Sequence, residues 1–311
     1  MKEKAGLIQK VSFIVNPKAA RKKWLRRKRL RTYLQKSLPG QIHGDLGEKE
    51  NTIGLAKKLS QDRELIVAIG GDGTISDVLQ GIFEGRKEKE VSLGIIPFGS
   101  GNAFRKSLHI PKKVRKAVSL LHKGELKEID LIDIEGRVAG FMSIGATAKV
   151  TQKKIEGNIP GILGHLAAGR LLLTLREKEQ EVELIDGIDD QGRHFEQKKL
   201  RLKFLDCVVA KTNYFGYSWK IAPKAKINDN YLDITFFEMS GLKYVLLLPL
   251  IYFGLFQRTQ RHFKAKKIII QGSELPVQYN GEFLGFRKKI EVKILPKAIK
   301  IICPKKAFKK N

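Results

Sequence analysis

The chain has few cysteines, no long apolar run and far fewer acidic than basic residues. Its two cysteines, Cys207 and Cys303, are far apart in sequence and lack the spacing of a metal site, so they indicate buried thiols in a reducing compartment. The longest apolar run, Tyr244 to Phe256, has 13 residues and contains Pro249 and Gly254, whereas a membrane-spanning helix needs about 20. We expect this run to form a buried or amphipathic helix, with a segment that dips into a membrane as the alternative.

Two further absences narrow the class of protein. The first apolar stretch, Val11 to Val15, is too short for the core of a signal peptide, so we expect a cytoplasmic protein. No G-x-x-x-x-G-K-[ST] stretch exists, which excludes a P-loop nucleotide site.

The excess of positive charge indicates an anionic partner or a general bias towards lysine, since many of the lysines are spread along the chain. Lysine and arginine number 60 against 32 acidic residues, for a net charge of +28, and nucleic acid, anionic lipid or nucleotide phosphate would each complement it. Eight basic residues fall within Arg21–Arg31, interleaved with apolar ones at roughly helical spacing. A solvated helix face, a membrane-binding face and a nucleic-acid face stay open for this cluster, but the signatures of nucleic-acid modules are absent.

The pattern of apolar runs changes once along the chain. Short apolar runs alternate with helical patterns over about the first 125 residues, which predicts an α/β domain with a parallel sheet. From Glu128 on, strand patterns dominate, including one over Lys199–Ala210, and they predict a mainly antiparallel β domain interrupted by helices around Ile162–Leu175 and Leu242–Phe256. We place the domains at residues 1–127 and 128–295, with the tail 296–311 as a segment that can rejoin the first domain.

The strongest chemical signal is a glycine-rich turn after a strand. The apolar run Leu65–Ile69 leads directly into Gly70, Gly71, Asp72, Gly73 and Thr74. Glycines let phosphates approach the backbone, and the N–H groups at a helix start favour an anion. A carboxylate at Asp72 makes sense there if it handles Mg²⁺ or a transferred proton.

A second glycine turn follows one βα unit later. Its strand, Leu93–Ile96, is followed by Pro97, Phe98, Gly99, Ser100, Gly101 and Asn102. Both turns lie at the carboxyl ends of strands in the predicted parallel sheet, where ligands bind. Together they predict a nucleoside triphosphate site of the kind that has no P-loop.

The pairing of these two turns resembles the diacylglycerol kinase catalytic-domain family, which includes bacterial lipid kinases and sphingosine and ceramide kinases. The resemblance covers nearly the whole chain. It extends to Val15-Asn16-Pro17, Ile129-Asp130-Leu131, Ala222-Pro223-Lys224-Ala225, the segment from Asp229 to Leu232-Asp233, and Asn280-Gly281-Glu282. It implies an α/β nucleotide domain followed by a β-sandwich domain, with ATP and a lipid meeting in a cleft.

The resemblance also implies roles for individual residues. ATP-Mg²⁺ would be held by Asn16, Gly70, Gly71, Asp72, Gly73, Thr74, Gly99, Ser100, Gly101 and Asn102. Glu282 would be the general base on the lipid hydroxyl, with Asp72 as the other catalytic residue. A structural Mg²⁺ would be bound by Asp229 and by the carbonyls of Lys226 and Tyr231, and linked to Asp130 through water.

Three departures from the family pattern bear on activity. The first-strand motif continues as Lys18-Ala19-Ala20-Arg21, without the usual glycine, so Lys18 or Arg21 is a candidate phosphate contact. The metal turn, Asn228-Asp229-Asn230, lacks one acid and one glycine, and fewer charges weaken Mg²⁺ binding. Asn280 stands in place of an acid beside the expected base, which calls the catalytic rate into question.

The predicted function is phosphoryl transfer from ATP to a diacylglycerol, a monoacylglycerol or a sphingoid base. The protein would act as a peripheral protein on an anionic membrane surface and would not bind nucleic acid; a homodimer and a monomer both stay open. An NAD kinase shares the Gly-Gly-Asp-Gly-Thr turn, and a catalytically impaired lipid- or nucleotide-binding protein is a further alternative.

Overall fold

The computed structural model describes residues 10–17, 28–38, 41–44, 49–99, 101–157, 169–216, 219–256, 260–305 and 307. The chain divides into two compact units: residues up to Asp130 together with those from Lys297 on form one, and Leu131–Pro296 form the other. The boundaries expected from the sequence, 127/128 and 295/296, lie three residues and one residue from these divisions.

Helices and strands alternate in the first unit. Its elements are β1 (Val11–Val15), α1 (Lys28–Ser37), β2 (Gln41–Gly44), α2 (Lys49–Leu59), β3 (Leu65–Gly70), α3 (Asp72–Glu84), β4 (Ser92–Pro97), α4 (Ala103–Ser107), α5 (Val114–Lys123) and β5 (Glu125–Ile134), which continues into the second unit. The chain returns to the first unit with the end of its last strand, β13 (Glu282–Cys303).

In the first unit, strands β1 to β4 form a sheet in which every neighbouring pair is parallel. The order is β2, β1, β3, β4 and then the end of β13. Every residue of β3 and β4 is buried, which explains why these strands read as continuous apolar runs rather than alternating ones. Because β3 and β4 run parallel with Gly70 opposite Pro97, the two glycine turns begin at the same edge of the sheet.

Strands dominate the second unit. After β5 it contains β6 (Arg137–Ala139), β7 (Phe141–Gly145), α6 (Ala146–Gly157), β8 (Lys178–Ile188), β9 (His194–Phe204), β10 (Asp206–Ala210), β11 (Leu232–Phe237), α7 (Gly241–Leu246), α8 (Leu248–Tyr252), β12 (Arg261–Tyr279) and most of β13. The pairings of β7 and β11 with β10, of β8 with β9, and of β12 with β7, β8, β11 and β13 are all antiparallel. The predicted change from a parallel to an antiparallel architecture is therefore confirmed.

Several predicted elements differ in detail. The strand expected over Lys199–Ala210 is two strands, because alternation of exposed and buried residues in β9 gives way after Phe204 to the fully buried β10. The helix expected over Leu242–Phe256 is divided into α7 and α8, with Pro249 in the first turn of the second. Strand β2 and helix α6 were not predicted. Among the described residues, no helix is long and apolar enough to span a membrane.

Candidate active site

The two glycine turns of the first unit touch through their backbones. The N–H groups of Phe98 and Gly99 both donate to the carbonyl of Gly70, at 2.7 and 3.2 Å. A Cβ atom on Gly99 would lie 2.3 Å from the Cα of Gly71, so neither turn could approach the other with a side chain at this position. Gly71 and Gly99 are thus required by packing between the turns.

Gly73 differs from the other glycines of the first turn. A Cβ atom on Gly70 would lie 2.3 Å from Thr74 Oγ1, whereas nothing lies within 4 Å of a Cβ atom on Gly73. Gly73 is in the first turn of α3, whose initial N–H groups have no partner within the helix. Space and hydrogen-bond donors therefore coincide there, as an anion site requires.

Asp72 connects the two turns. Its Oδ2 accepts the N–H of Ala103 and its Oδ1 accepts the N–H of Phe104, both at 3.0 Å. These N–H groups open α4, so a carboxylate from the first turn caps the helix that follows the second. Burial raises the pKa of Asp72 above its ordinary value, although the hydrogen bonds from Ala103 and Phe104 oppose that rise.

Asn102 shapes the second turn and presents an unsatisfied acceptor. Its backbone is left-handed, with φ of 53°, and its Nδ2 donates to the carbonyl of Gly99 at 2.8 Å. Its Oδ1 is buried and has no hydrogen-bond partner within the described part of the chain. A buried acceptor without a partner is costly, and a bound ligand or cation would satisfy it.

The structure gathers most of the predicted nucleotide residues at one sheet edge. Asn16 joins them because its N–H donates to the carbonyl of Ile69 at the end of β3, at 3.3 Å. Thr74 is buried in α3, and Gly101 is half-buried beside Asn102. The predicted residue Ser100 and the candidate phosphate contacts Lys18 and Arg21 lie outside the described residues. Lys106 of α4 was not predicted as a site residue. Its positive charge is close enough to Asp72 to favour the ionised carboxylate and so to lower its pKa.

Glu282 occupies a tight hairpin in the second unit. Asn280 and Gly281 form the two-residue loop between β12 and β13, with φ of 47° and 91°, and two left-handed residues are typical of such hairpins. The hydroxyl of Tyr279 donates to Glu282 Oε2 at 3.1 Å. Asn280 and Gly281 therefore form a regular hairpin turn, and Tyr279 also orients the carboxylate of Glu282 beside it.

Asn280 is bound by the backbone on both sides. Its Oδ1 accepts the N–H of Gly140 at 3.1 Å, and its Nδ2 donates to the carbonyl of Val138 at 3.3 Å. An aspartate could accept the first hydrogen bond but could not donate the second. The amide at position 280 is thus matched to its surroundings in this chain.

The predicted metal ligand Asp229 has two lysine partners. Its Oδ1 lies 2.7 Å from Lys211 Nζ, and its Oδ2 accepts from Lys264 Nζ. Burial alone would raise the pKa of Asp229, but the two ammonium groups outweigh burial and hold the pKa below its ordinary value. No group of three or more His, Cys, Asp or Glu side chains that could hold a metal occurs among the described residues.

The other predicted metal ligands also have protein partners. The carbonyl of Tyr231 accepts from Lys211 Nζ. At Lys226, whose carbonyl is the predicted ligand, the N–H donates to Asp233 Oδ2 at 3.1 Å. Asp130 belongs to the first unit, where its Oδ1 accepts the N–H of Lys297 at 2.9 Å. Ammonium groups therefore occupy the Asp229 carboxylate and the Tyr231 carbonyl, and this arrangement does not fit a divalent cation.

Two family models match the chain. A diacylglycerol kinase catalytic domain matches residues 10–134, and a YegS C-terminal NAD kinase beta sandwich-like domain matches residues 142–303. The sandwich architecture predicted for the second domain is thereby confirmed.

Named relatives agree with the models. A diacylglycerol kinase from Staphylococcus saprophyticus is 28% identical over 251 residues, covering 76% of this chain and 79% of the relative. A diacylglycerol kinase from Staphylococcus epidermidis is 26% identical over 262 residues, covering 81% of this chain and 78% of the relative.

Solved structures share the fold. One crystal structure from Bacillus anthracis, described as a diacylglycerol kinase, matches with a TM-score of 0.71 at 21% identity and covers 97% of this chain and 99% of that one. A second structure from the same organism matches with a TM-score of 0.77 at 22% identity and covers 97% of both chains.

Proposed function

The chain belongs to the family in which a diacylglycerol kinase catalytic domain is followed by a YegS-type C-terminal domain, and from this premise we propose that it is an ATP-dependent lipid kinase. It would transfer the γ-phosphoryl group of ATP to the hydroxyl of a diacylglycerol, a monoacylglycerol or a sphingoid base. Phosphoryl transfer depends mainly on positioning and on neutralising charge, which the two glycine turns are suited to provide.

The observation that carries the proposal is the arrangement around Gly73. Open space adjoins Gly73 at the start of α3, while the carboxylate of Asp72 holds the second turn against the first. A helix start carries about half a positive charge and favours phosphate. This is support for a nucleotide site in a chain that has no P-loop.

The residues of the first unit also fit ATP in its Mg²⁺ form. Oδ2 and Oδ1 of Asp72 accept the N–H groups of Ala103 and Phe104, and a carboxylate oxygen has a second lone pair with which it can bind a cation. The buried Oδ1 of Asn102 offers a further oxygen. Mg²⁺ would neutralise charge on the phosphates during transfer, while Asn16, Gly73, Thr74, Gly99 and Gly101 would contact the nucleotide.

Glu282 is proposed as the general base that takes the proton of the lipid hydroxyl. Its carboxylate is half-buried and oriented by the hydroxyl of Tyr279. The rigid two-residue turn of Asn280 and Gly281 fixes the position of the backbone that carries it. Positioning of this kind is what general-base catalysis requires.

A membrane-facing surface is proposed on α7 and α8. Leu242, Leu246 and Leu250 are spaced four residues apart and are 58%, 71% and 43% exposed, and Phe253 is 65% exposed. The opposite side of the same segment packs into the core through buried Tyr244 and Ile251. A helical segment that is anchored on one side and apolar on the other is typical of an interfacial one, and the net charge of +28 favours an anionic leaflet.

The test of activity uses labelled ATP and a total lipid extract, with NAD supplied in parallel. Label in a phospholipid that is lost in the Asp72→Asn variant supports the lipid kinase. Label on NAD would instead indicate an NAD kinase, and no label in either product would favour a binding protein.

The test of Glu282 is the Glu282→Gln variant, assayed on the lipid that labels best. We expect turnover to fall by about 10²–10⁴ with little change in the KM for ATP, because a positioned base contributes that much. Glu196→Gln, at an exposed position of β9, is the matched control. Full activity of Glu282→Gln would place the base elsewhere, with Asp72 the next candidate.

The test of the membrane surface is sedimentation with phosphatidylglycerol vesicles at low and high salt. A Leu246→Ser, Phe253→Ser double variant should lose binding, whereas Ile155→Ser, at a position 58% exposed on α6, should keep it. The basic cluster Arg21–Arg31 lies largely outside the described residues, so neutralising Arg26, Arg27 and Arg29 tests its contribution separately. Equal binding to neutral vesicles would show that electrostatic attraction does not contribute to membrane binding.

A further inference from the structure

A fully buried lysine lies where the resemblance implies a structural metal. Lys211 directly follows β10, and its side chain has no exposed surface. The N–H of Lys211 donates to the carbonyl of Gly140 at 2.8 Å, which fixes the residue beside β7. Burying an ammonium group is costly unless it is paired and hydrogen-bonded. The groups that bind the ammonium of Lys211 therefore indicate its role.

The Lys211 ammonium binds two of the three groups implied as metal ligands. It donates to Asp229 Oδ1 at 2.7 Å and to the carbonyl of Tyr231 at 2.5 Å. A carboxylate and a backbone carbonyl converging on one cation is the donor chemistry of a Mg²⁺ or Ca²⁺ loop. In this chain the converging cation is a side chain.

A second lysine completes the charge balance. Lys264 of β12 donates to Asp229 Oδ2 and lies 4.0 Å from Asp233 Oδ1. Asp233 also accepts the N–H of Lys226 at 3.1 Å and lies 3.2 Å from His262 Nε2. Two carboxylates and two ammonium groups therefore form a cluster whose formal charges cancel when His262 is neutral.

A divalent cation would be repelled from this cluster. Both oxygens of Asp229 are engaged by ammonium groups, and Mg²⁺ demands close, nearly octahedral oxygen ligands. Adding two positive charges within a few ångströms of two ammonium groups is opposed by Coulomb repulsion in a partly buried site.

We infer that the ammonium of Lys211, supported by Lys264, is the resident cation of the 226–231 loop and holds it in place of a divalent metal. The consequence concerns stability: the folding of the second unit does not depend on Mg²⁺ or Ca²⁺. The inference does not rest on the proposed function, because Mg²⁺ that arrives with a nucleotide is a separate matter.

The first experiment measures thermal unfolding of the full chain without nucleotide or lipid. Wild-type protein is compared after dialysis against EDTA and after addition of Mg²⁺ or Ca²⁺ to millimolar concentration, alongside Asp229→Asn. We expect the metals to shift the Tm of both proteins equally, by less than about 1 °C for a site that binds none. A rise in wild-type Tm on adding metal that is absent in Asp229→Asn would overturn the inference.

The second experiment asks whether a cation is needed once the lysine is removed. Lys211→Ala leaves the Asp229 carboxylate and the Tyr231 carbonyl facing a space, and should lower the Tm by on the order of 5–10 °C. Methylammonium, which carries the ammonium group that the variant lacks, should recover part of the loss in Tm. Lys266→Ala removes a half-exposed lysine paired with Asp186 and should leave the Tm unchanged.

A volume-matched double variant covers the case in which Lys211→Ala does not fold. Lys211→Met alone leaves the carboxylates of Asp229 and Asp233 with only the ammonium of Lys264. Adding Asp229→Asn leaves one carboxylate for that ammonium, so the double variant should fold with a higher Tm than Lys211→Met alone. If Lys211→Met and the double variant have the same Tm, the ammonium does not hold the carboxylate and the inference is wrong.

Discussion

The two regions in which a cation-binding acid was expected hold their carboxylates in opposite ways. In the first unit, backbone N–H groups of Ala103 and Phe104 bind Asp72. In the second unit, the charged side chains of Lys211 and Lys264 bind Asp229. Neutral donors position a carboxylate but leave its charge uncancelled, whereas ammonium groups cancel it.

From this difference we expect the two aspartates to have different roles. A carboxylate held by neutral donors can still attract Mg²⁺ or accept a proton, so Asp72 suits chemistry. A carboxylate neutralised by lysines can only stabilise the structure around it, so Asp229 suits folding. The same substitution, aspartate to asparagine, should therefore affect activity in one region and stability in the other.

The largest effect is expected for Asp72→Asn. The amide carries no charge for Mg²⁺, and its NH₂ group would face one of the two N–H donors that the carboxylate now accepts. We expect kcat/KM to fall by on the order of 10³, as when a charge-stabilising group is removed from an active site. Steady-state assays with ATP and the best lipid measure it.

Glu84→Gln is the control for Asp72→Asn, because Glu84 ends the same helix at its far end. Activity of Asp72→Asn within a factor of two of wild type would falsify the assignment of Asp72 to the chemistry.

Asp229→Asn should give the reverse profile. An amide oxygen can satisfy only one of the two ammonium groups, so the buried Lys211 loses charge compensation. We expect a loss of about 2–3 kcal/mol in the free energy of unfolding, measured by urea titration, with turnover within about threefold of wild type well below the Tm. Asp186→Asn, which breaks a half-exposed pair with Lys266, should not change the unfolding midpoint. A 10²-fold loss of turnover without loss of stability would mean that Asp229, like Asp72, acts in catalysis and not in folding.

Asp206 extends the comparison to an acid that has no ion pair within the described part of the chain. It is fully buried, and the hydroxyl and N–H of Thr147 and the N–H of Cys207 donate to it. Burial raises the pKa of Asp206 to about 7, above the ordinary 3.8, despite those hydrogen bonds. A raised pKa in the folded state contributes stability at low pH that is lost as the pH rises through about 7.

Asp206→Asn removes that titration. The free energy of unfolding of the variant relative to wild type should therefore increase by about 2 kcal/mol between pH 5 and pH 8. Urea titrations at a series of pH values measure it, with the exposed Asp190→Asn as the control. Parallel pH profiles for Asp206→Asn and wild type would show that Asp206 does not titrate in the folded protein between pH 5 and pH 8.

The smallest effect is expected for Asn280→Asp, the reverse exchange. A carboxylate at position 280 would place an oxygen against the carbonyl of Val138, to which the amide now donates. We expect a loss of about 1 kcal/mol in the free energy of unfolding, while Asn228→Asp, at an exposed position, should cost nothing measurable. A gain in turnover with unchanged stability would mean that an acid is tolerated at 280 and that the family pattern outweighs these hydrogen bonds.

Local patterns were sufficient for the features that depend on neighbouring residues. The glycine turns follow from their strands, and the Asn280-Gly281 hairpin follows from its turn residues, as the structure has them. The predicted strand over Lys199–Ala210 was wrong because the bend after Phe204 reflects a change of partners, from β8 to β7 and β11. A change of partner strand leaves only a weak trace in the sequence, here the switch from alternating to continuous burial.

The sequence by itself determined the change from α/β to antiparallel architecture, the two glycine turns and the acid within the first of them, because periodicity and glycine act over a few residues. Only the tertiary structure decided which cation Asp229 meets. Lys211 and Lys264 are two of 60 basic residues, and they lie 18 and 35 positions from Asp229 in the chain. Their role appears only when β10 and β12 bring them to the 226–231 loop, because a charge acts over a few ångströms of space rather than along the sequence.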